Sequence, residues 1–154
     1  MIIDLIVPAL LTIITASTPL VFAAVGEIVV EKSGVLNLGV EGMMVVGAVG
    51  GFAIAIITDD PVLAILAGAL SGMLMALIFG LLTLYFYSNQ VATGLALTLF
   101  GIGFSALLGH KFVGITFEGL PKLYISGLSD IPGIGQLIFG QDVLVYFSIL
   151  IKFD

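Results

Sequence analysis

GEIVVEKSGVLNLGVEGMM, residues Gly26 to Met44, is the stretch on which the reading of this chain turns. It sets Glu27, Glu31, Lys32, Asn37 and Glu41 between two long apolar runs, Leu5 to Val25 before it and Met43 to Ile57 after it. An ionisable group at membrane depth costs about 2.5–3.5 kcal/mol on insertion scales. A chain that places so many of its few charges there has a use for them. Gly26, Gly34, Gly39 and Gly42 mark a backbone that bends or breaks within the stretch.

The apolar runs belong to a chain built for lipid. Of its 154 residues 60% are hydrophobic and only 9% are charged, and its mean hydropathy is +1.33. Soluble domains carry about 25% charged residues, so too few charges remain here to solvate a globular surface. The formal charge of −6, with four Lys and no Arg, excludes nucleic acid as a partner, because phosphates demand basic side chains. The absence of Cys excludes disulfides, thiolate metal sites and a Cys nucleophile. With a single His, zinc would need carboxylates for most of its ligands, against its preference. The N-terminus, MIIDLIVPALLTIITASTPL, lacks a basic n-region and reads as a first membrane helix rather than a cleaved signal.

A spanning helix needs about 20 apolar residues. Five segments approach this, and they predict an all-α polytopic membrane bundle of about five spans, one of them broken or re-entrant. The first is Leu5 to Val25, kinked at Pro19. The second is Val35 to Ile57. The third, Val62 to Phe86, follows Asp59, Asp60 and Pro61, which suit a helix N-terminus. The fourth is Val91 to Leu108, after the polar turn Ser88-Asn89-Gln90. The fifth, Asp142 to Ile151, is short for a span. Between the last two lies His110 to Gln141, an amphipathic loop punctuated by Pro and Gly at one membrane face. Alternating spans put Lys32 and Lys152 on one side and Lys111 and Lys122 on the other, so basic residues leave the orientation open.

Small residues recur at every fourth position. Ala64, Gly68, Gly72, Ala76 and Gly80 form one row, Gly47, Gly51 and Ala55 a second, and Gly101, Ser105 and Gly109 a third. Such rows share a helix face and let helices approach closely in lipid.

Among the polar residues, Glu31 and Lys32 read as neighbours on a short loop, whereas Glu27 lies closer to the apolar run. Asn37 and Glu41, four apart, share one face if helical. Glu41 either contacts a ligand or accepts backbone N–H groups near Gly39 and Gly42 as a cap. Thr93 and Thr98 give the fourth helix polar positions, although Thr hydroxyls also bond back to i−4 carbonyls. Gln90 reads as a cap or loop residue. His110, with Lys111 and Asp130, is a poor basis for catalysis. Ser71, Ser105, Ser126 and Ser129 lie in no nucleophile elbow. No Gly-rich phosphate loop with Lys and Ser/Thr is present, so active transport would draw its energy from a partner or an ion gradient.

Three motifs, GEIVVEKSGVLNLGVEGMMVVGAVGG, QVATGLALTLFGIGFSALLG and LPKLYISGLSDIPGIGQLIFGQDVLVYFSILI, resemble the permease subunits of bacterial ATP-binding-cassette importers. The branch is that for branched-chain amino acids, simple sugars and nucleosides, and the nucleoside (simple sugar) permeases are most similar. The likeness runs from Thr18 to Ile151. It implies one transmembrane permease domain over residues 1–154 in the bacterial inner membrane, the N-terminal portion of an architecture about twice this length. It implies a second permease subunit, a cytoplasmic ABC ATPase and an extracytoplasmic substrate-binding lipoprotein as partners, with a small polar solute as cargo and no cofactor. It also implies that the loop His110 to Gln141 faces outside. The half that carries the ATPase-coupling loop in such permeases has no counterpart here, so this stretch alone is not expected to couple to ATP hydrolysis. Glu27, Asn37 and Glu41 by motif, and Thr93 and Thr98 by position, are the expected pathway or gate residues. Gly47, Gly51, Gly68, Gly72, Gly80 and Gly101 are the expected packing residues. A gradient-driven carrier or channel is the alternative, since intramembrane carboxylates and broken helices serve those too.

Overall fold

Four apolar helices long enough to cross a membrane make up most of the described chain. The structure is a computed structural model that describes residues 2–117, 119–123, 126, 127, 129 and 139–151. Its elements are α1 (Ile2–Lys32), α2 (Val40–Thr58), α3 (Pro61–Gly80) with a π-helical turn (Leu81–Tyr85), α4 (Gln90–Gly109) with a 3-10 turn (His110–Phe112), and α5 (Val143–Ile151). No strand occurs among the described residues. The chain is an all-α, multi-pass membrane protein. At nine residues α5 is short for a span, as its sequence suggested. Among the charged residues of the loop and the C-terminus, Glu118, Asp130, Lys152 and Asp154 lie outside the described residues.

The chain forms two units, residues 25–118 and residues 1–24 with 119–154. In the larger unit α2 packs on both α3 and α4. Met43, Val46, Met75, Phe79 and Leu97 form its buried cluster, with Val35 packed against it. Leu66, Leu70, Leu74 and Leu77 stay exposed on α3, as lipid-facing side chains do. In the smaller unit Phe22 stacks on Phe147 at 6.4 Å between ring centroids. There Val145 is fully buried, and Asp142 caps α5 by accepting the Val145 N–H at 3.0 Å.

Local chemistry explains the boundaries. At Asp60 the side chain accepts the Val62 and Leu63 N–H groups while Pro61 opens α3, which satisfies two of the free donors at its start. Asn89 caps α4 in the same way through Ala92 N–H.

Two boundaries differ from the sequence reading. The first helix does not stop at Val25 but runs to Lys32, so Glu31 and Lys32 sit in its last turn rather than on a loop. Gly26, expected to bend or break the backbone, lowers helix propensity without stopping the helix, and a cation in the last turn suits the helix dipole. The stop comes at Gly34. Its φ of +80° lets its N–H reach Glu31 O at 2.9 Å and lets Val35 N–H reach Val30 O at 3.3 Å, a Schellman closure. The second helix begins at Val40 rather than Val35. Asn37 is therefore not helical, and it shares no helix face with Glu41. Its own side chain prevents this, because Asn37 Oδ1 accepts the Gly39 N–H at 2.9 Å in an Asx turn.

The rows on α2 and α3 approach each other closely at Gly47, Gly51 and Gly68. A Cβ on Gly68 would lie 3.2 Å from Gly47 O, and one on Gly51 would lie 3.0 Å from Ala64 O. Gly72 packs more loosely, with a Cβ there 3.8 Å from Met43 O and one on Gly47 3.8 Å from Gly72 N. Gly80 does not pack at all, since a Cβ there would meet nothing within 4 Å. The reason is geometric. With 3.6 residues per turn an i, i+4 row rotates about 40° at each step, so the row from Ala64 to Gly80 turns through roughly 160° and leaves the contact. Gly80→Ala should therefore raise stability by about 0.5–1 kcal/mol through helix propensity alone. Thermal unfolding in detergent checks this, and a lowered midpoint would reveal a contact at that face.

Candidate functional site

Residues 33–39, between α1 and α2, are non-helical and bond to α4 at two points. Leu36 N–H donates to Gln90 Oε1 at 2.8 Å, at the head of α4. Thr98 Oγ1 donates to the Leu38 carbonyl at 2.8 Å, eight residues further along. The segment thus lies beside the first two turns of α4. Irregular backbone at membrane depth survives only where its polar groups find partners. Here they do. Besides these two bonds, Asn37 N–H donates to Glu27 Oε1 at 3.1 Å and Gly39 N–H to Asn37 Oδ1. Asn37 is buried, and its Nδ2 points to Met43 Sδ at 3.7 Å.

Close approach of backbones makes this arrangement possible. A Cβ on Gly94 would lie 2.8 Å from Leu38 N and 3.0 Å from Gly39 N. One on Gly42 would lie 2.6 Å from Leu97 O, and one on Gly101 would lie 2.6 Å from Gly42 O. α2 and α4 therefore cross glycine to glycine, directly below the segment.

The expected site residues fall into three groups. Glu27 and Thr98 bond to the backbone of the segment that carries Asn37. Glu27 projects from α1 about one and a half turns before its end, and its second oxygen, Oε2, is buried with no hydrogen-bond partner. Glu41 stands apart. It is exposed in the first turn of α2, where the helix dipole favours a carboxylate, and its side chain caps no N–H group. Thr93 also lies elsewhere. Its hydroxyl is 2.8 Å from Ser88 Oγ, at the polar end of a cavity of about 570 Å³ between α3 and α4. The rest of that cavity is apolar, lined by Met75, Ile78, Leu82 and Phe100. No cluster of potential metal ligands occurs among the described residues.

A model of the family described as branched-chain amino acid transport system / permease component matches residues 9–150. The chain belongs to this permease family. Among curated proteins, it is 38% identical over 141 residues to a putative glucose ABC transporter permease protein of Haloferax volcanii, covering 89% of this chain and 43% of the relative. It is 32% identical over 160 residues to a guanosine ABC transporter permease protein of Bacillus subtilis, covering 97% and 49%. It is 30% identical over 146 residues to a nucleoside ABC transporter permease protein of Lactococcus lactis subsp. cremoris, covering 88% and 46%. The chain thus spans a little under half the length of each of these relatives. No solved structure matches it significantly.

Within this permease fold, sequence reasoning missed Gln90, Gly94 and Gly42 as parts of the site. Gln90 looked like a cap, yet Asn89 is the cap and Gln90 reaches Leu36. Gly94 was findable, since it lies seven residues before Gly101 and so shares its face. No sequence signal pairs Gln90 with Leu36, which are 54 positions apart.

Proposed function

We propose that this chain supplies part of the translocation pathway of an ABC importer for nucleosides or related small polar solutes. The observation that carries this reading is the buried, unpartnered Oε2 of Glu27 beside an unwound segment, in a chain whose relatives are named nucleoside, guanosine and glucose ABC transporter permeases. A buried carboxylate oxygen kept without a donor is costly unless a donor visits it. Hydroxyl-rich or amine-bearing solutes bring such donors.

In this reading Glu27, Asn37 and Thr98 form the gate, Glu41 offers an exposed carboxylate at its mouth, and Thr93 lines the neighbouring cavity. The chain holds no ATPase site of its own. A cytoplasmic ABC ATPase supplies the energy, a second permease subunit completes the pathway, and an extracytoplasmic binding lipoprotein delivers the solute, all at a bacterial inner membrane.

The test is uptake into vesicles that contain the whole permease, its ATPase and its binding protein. Labelled nucleoside should accumulate only with ATP and binding protein together. Accumulation driven by an ion gradient without the ATPase would replace the importer by a carrier.

A further inference from the structure

The α4 face that meets residues 36–39 has a regular plan. Gln90, Gly94 and Thr98 are spaced i, i+4, i+8 and so line one side of the helix. Gln90 presents an acceptor to Leu36 N–H, Gly94 leaves the space in which Leu38 and Gly39 N–H lie, and Thr98 presents a donor to the Leu38 carbonyl. The Leu36 N–H and the Leu38 carbonyl bond to α4, and the Asn37 N–H between them bonds to Glu27 on α1. The segment alternates like a strand between two helices that substitute for neighbouring strands. Backbone bonds tie its two ends to α1 and α2, while side chains hold residues 36–38 between them. Its position can therefore change while α1, α2 and α4 keep their own backbone bonds.

We infer that Gln90 and Thr98 are positioning residues. They act through the backbone of Leu36 and Leu38 to set where Asn37 stands against Glu27, and hence the geometry of the gate. This rests on the proposed transport role of the segment. Neither side chain needs to touch the solute. Gln90 acts because its amide oxygen is an acceptor, which Glu retains and Leu lacks. Thr98 acts because its hydroxyl is a donor, which Ser retains and Val lacks. The remaining shape is nearly conserved in Thr98→Val, so that variant removes the bond with little change in packing.

The test combines amide hydrogen exchange with uptake in the whole, assembled transporter. In the unaltered protein the peptide covering residues 33–42 should be protected. Gln90→Leu and Thr98→Val should each speed its exchange about tenfold, while peptides from α3 stay unchanged. Saturated uptake should fall about tenfold in both, and Gln90→Glu and Thr98→Ser should restore protection and uptake to near the original values. Unchanged exchange in both Gln90→Leu and Thr98→Val overturns the inference. So does faster exchange with full uptake, which would leave the bonds with a merely structural part. If Gln90→Leu fails to accumulate in the membrane, the Thr98→Val and Thr98→Ser pair decides. Absence of ATP-dependent uptake in the unaltered transporter would instead remove the transport reading itself, whatever the exchange shows.

Discussion

Gly101→Val is expected to unseat α2 from α4 and to destabilise the helix bundle by about 3 kcal/mol or more. Overpacking a filled site costs about 1–3 kcal/mol when side chains can adjust. Here they cannot. The Cβ at residue 101 would lie 2.6 Å from Gly42 O, 2.7 Å from Gly42 Cα and 2.8 Å from Gly42 C, all of them backbone atoms. The reverse face is as tight, with a Cβ on Gly42 at 2.6 Å from Leu97 O and 2.7 Å from Thr98 Cα. No rotamer change relieves these contacts, so one helix must move, and the segment anchored at Leu38 moves with it. In lipid, close packing is a main source of helix association, so the loss is not offset by hydrophobic burial elsewhere. Thermal unfolding in detergent measures the effect. Gly103→Ala, where a Cβ would meet nothing within 4 Å, is the control and should leave the midpoint unchanged or slightly raised. Equal midpoints for the Gly101 and Gly103 variants would show that the crossing is looser than its geometry implies.

The second large effect is expected at Glu27, where two substitutions separate two roles of one carboxylate. Glu27→Ala removes the acceptor of Asn37 N–H and leaves a donor unpaired near a buried side chain, which costs about 1–3 kcal/mol. Segment protection and uptake should both be lost. Glu27→Gln keeps an amide oxygen for Asn37 N–H, so exchange of residues 33–42 should stay slow. It removes the charge at the second oxygen, which has no partner in the resting structure. Hydrogen bonds to charged groups are worth about 1.5–3 kcal/mol, so uptake should fall by about tenfold or more if a solute uses that oxygen. Full uptake in Glu27→Gln would confine Glu27 to holding the segment and remove it from contact with the solute.

These two sites also show how legible the chain was. The Glu27 to Glu41 stretch stood out because charge at membrane depth is expensive, and that argument needs only composition and order. The same stretch misled in detail. Asn37 and Glu41 are four apart, and pairing them on one face assumed a helix. The Asx turn at Asn37 and the left-handed Gly34 removed that helix. Each of these is a local competition between side-chain and helical hydrogen bonds, which periodicity does not register. Thr98 was a reasonable choice for a gate, yet its hydroxyl could have closed on its own helix. Only the position of Leu38 turned it outward. Gly80 shows the opposite error. Its place in a row of small residues was plain, but helical twist carries it off the contact face.

By itself the sequence determined that this protein lives in lipid, that its described spans are helices, and where most of them start and stop. Those properties follow from transfer free energies and from capping groups within a few residues of each helix end, and both are local. The tertiary structure decided which polar groups meet. The bonds from Gln90 to Leu36 and from Thr98 to Leu38 join positions 54 and 60 apart. They exist because Gly42, Gly94 and Gly101 let two backbones touch. A hydrogen bond needs its partners within about 3 Å, and only packing brings such distant residues that close.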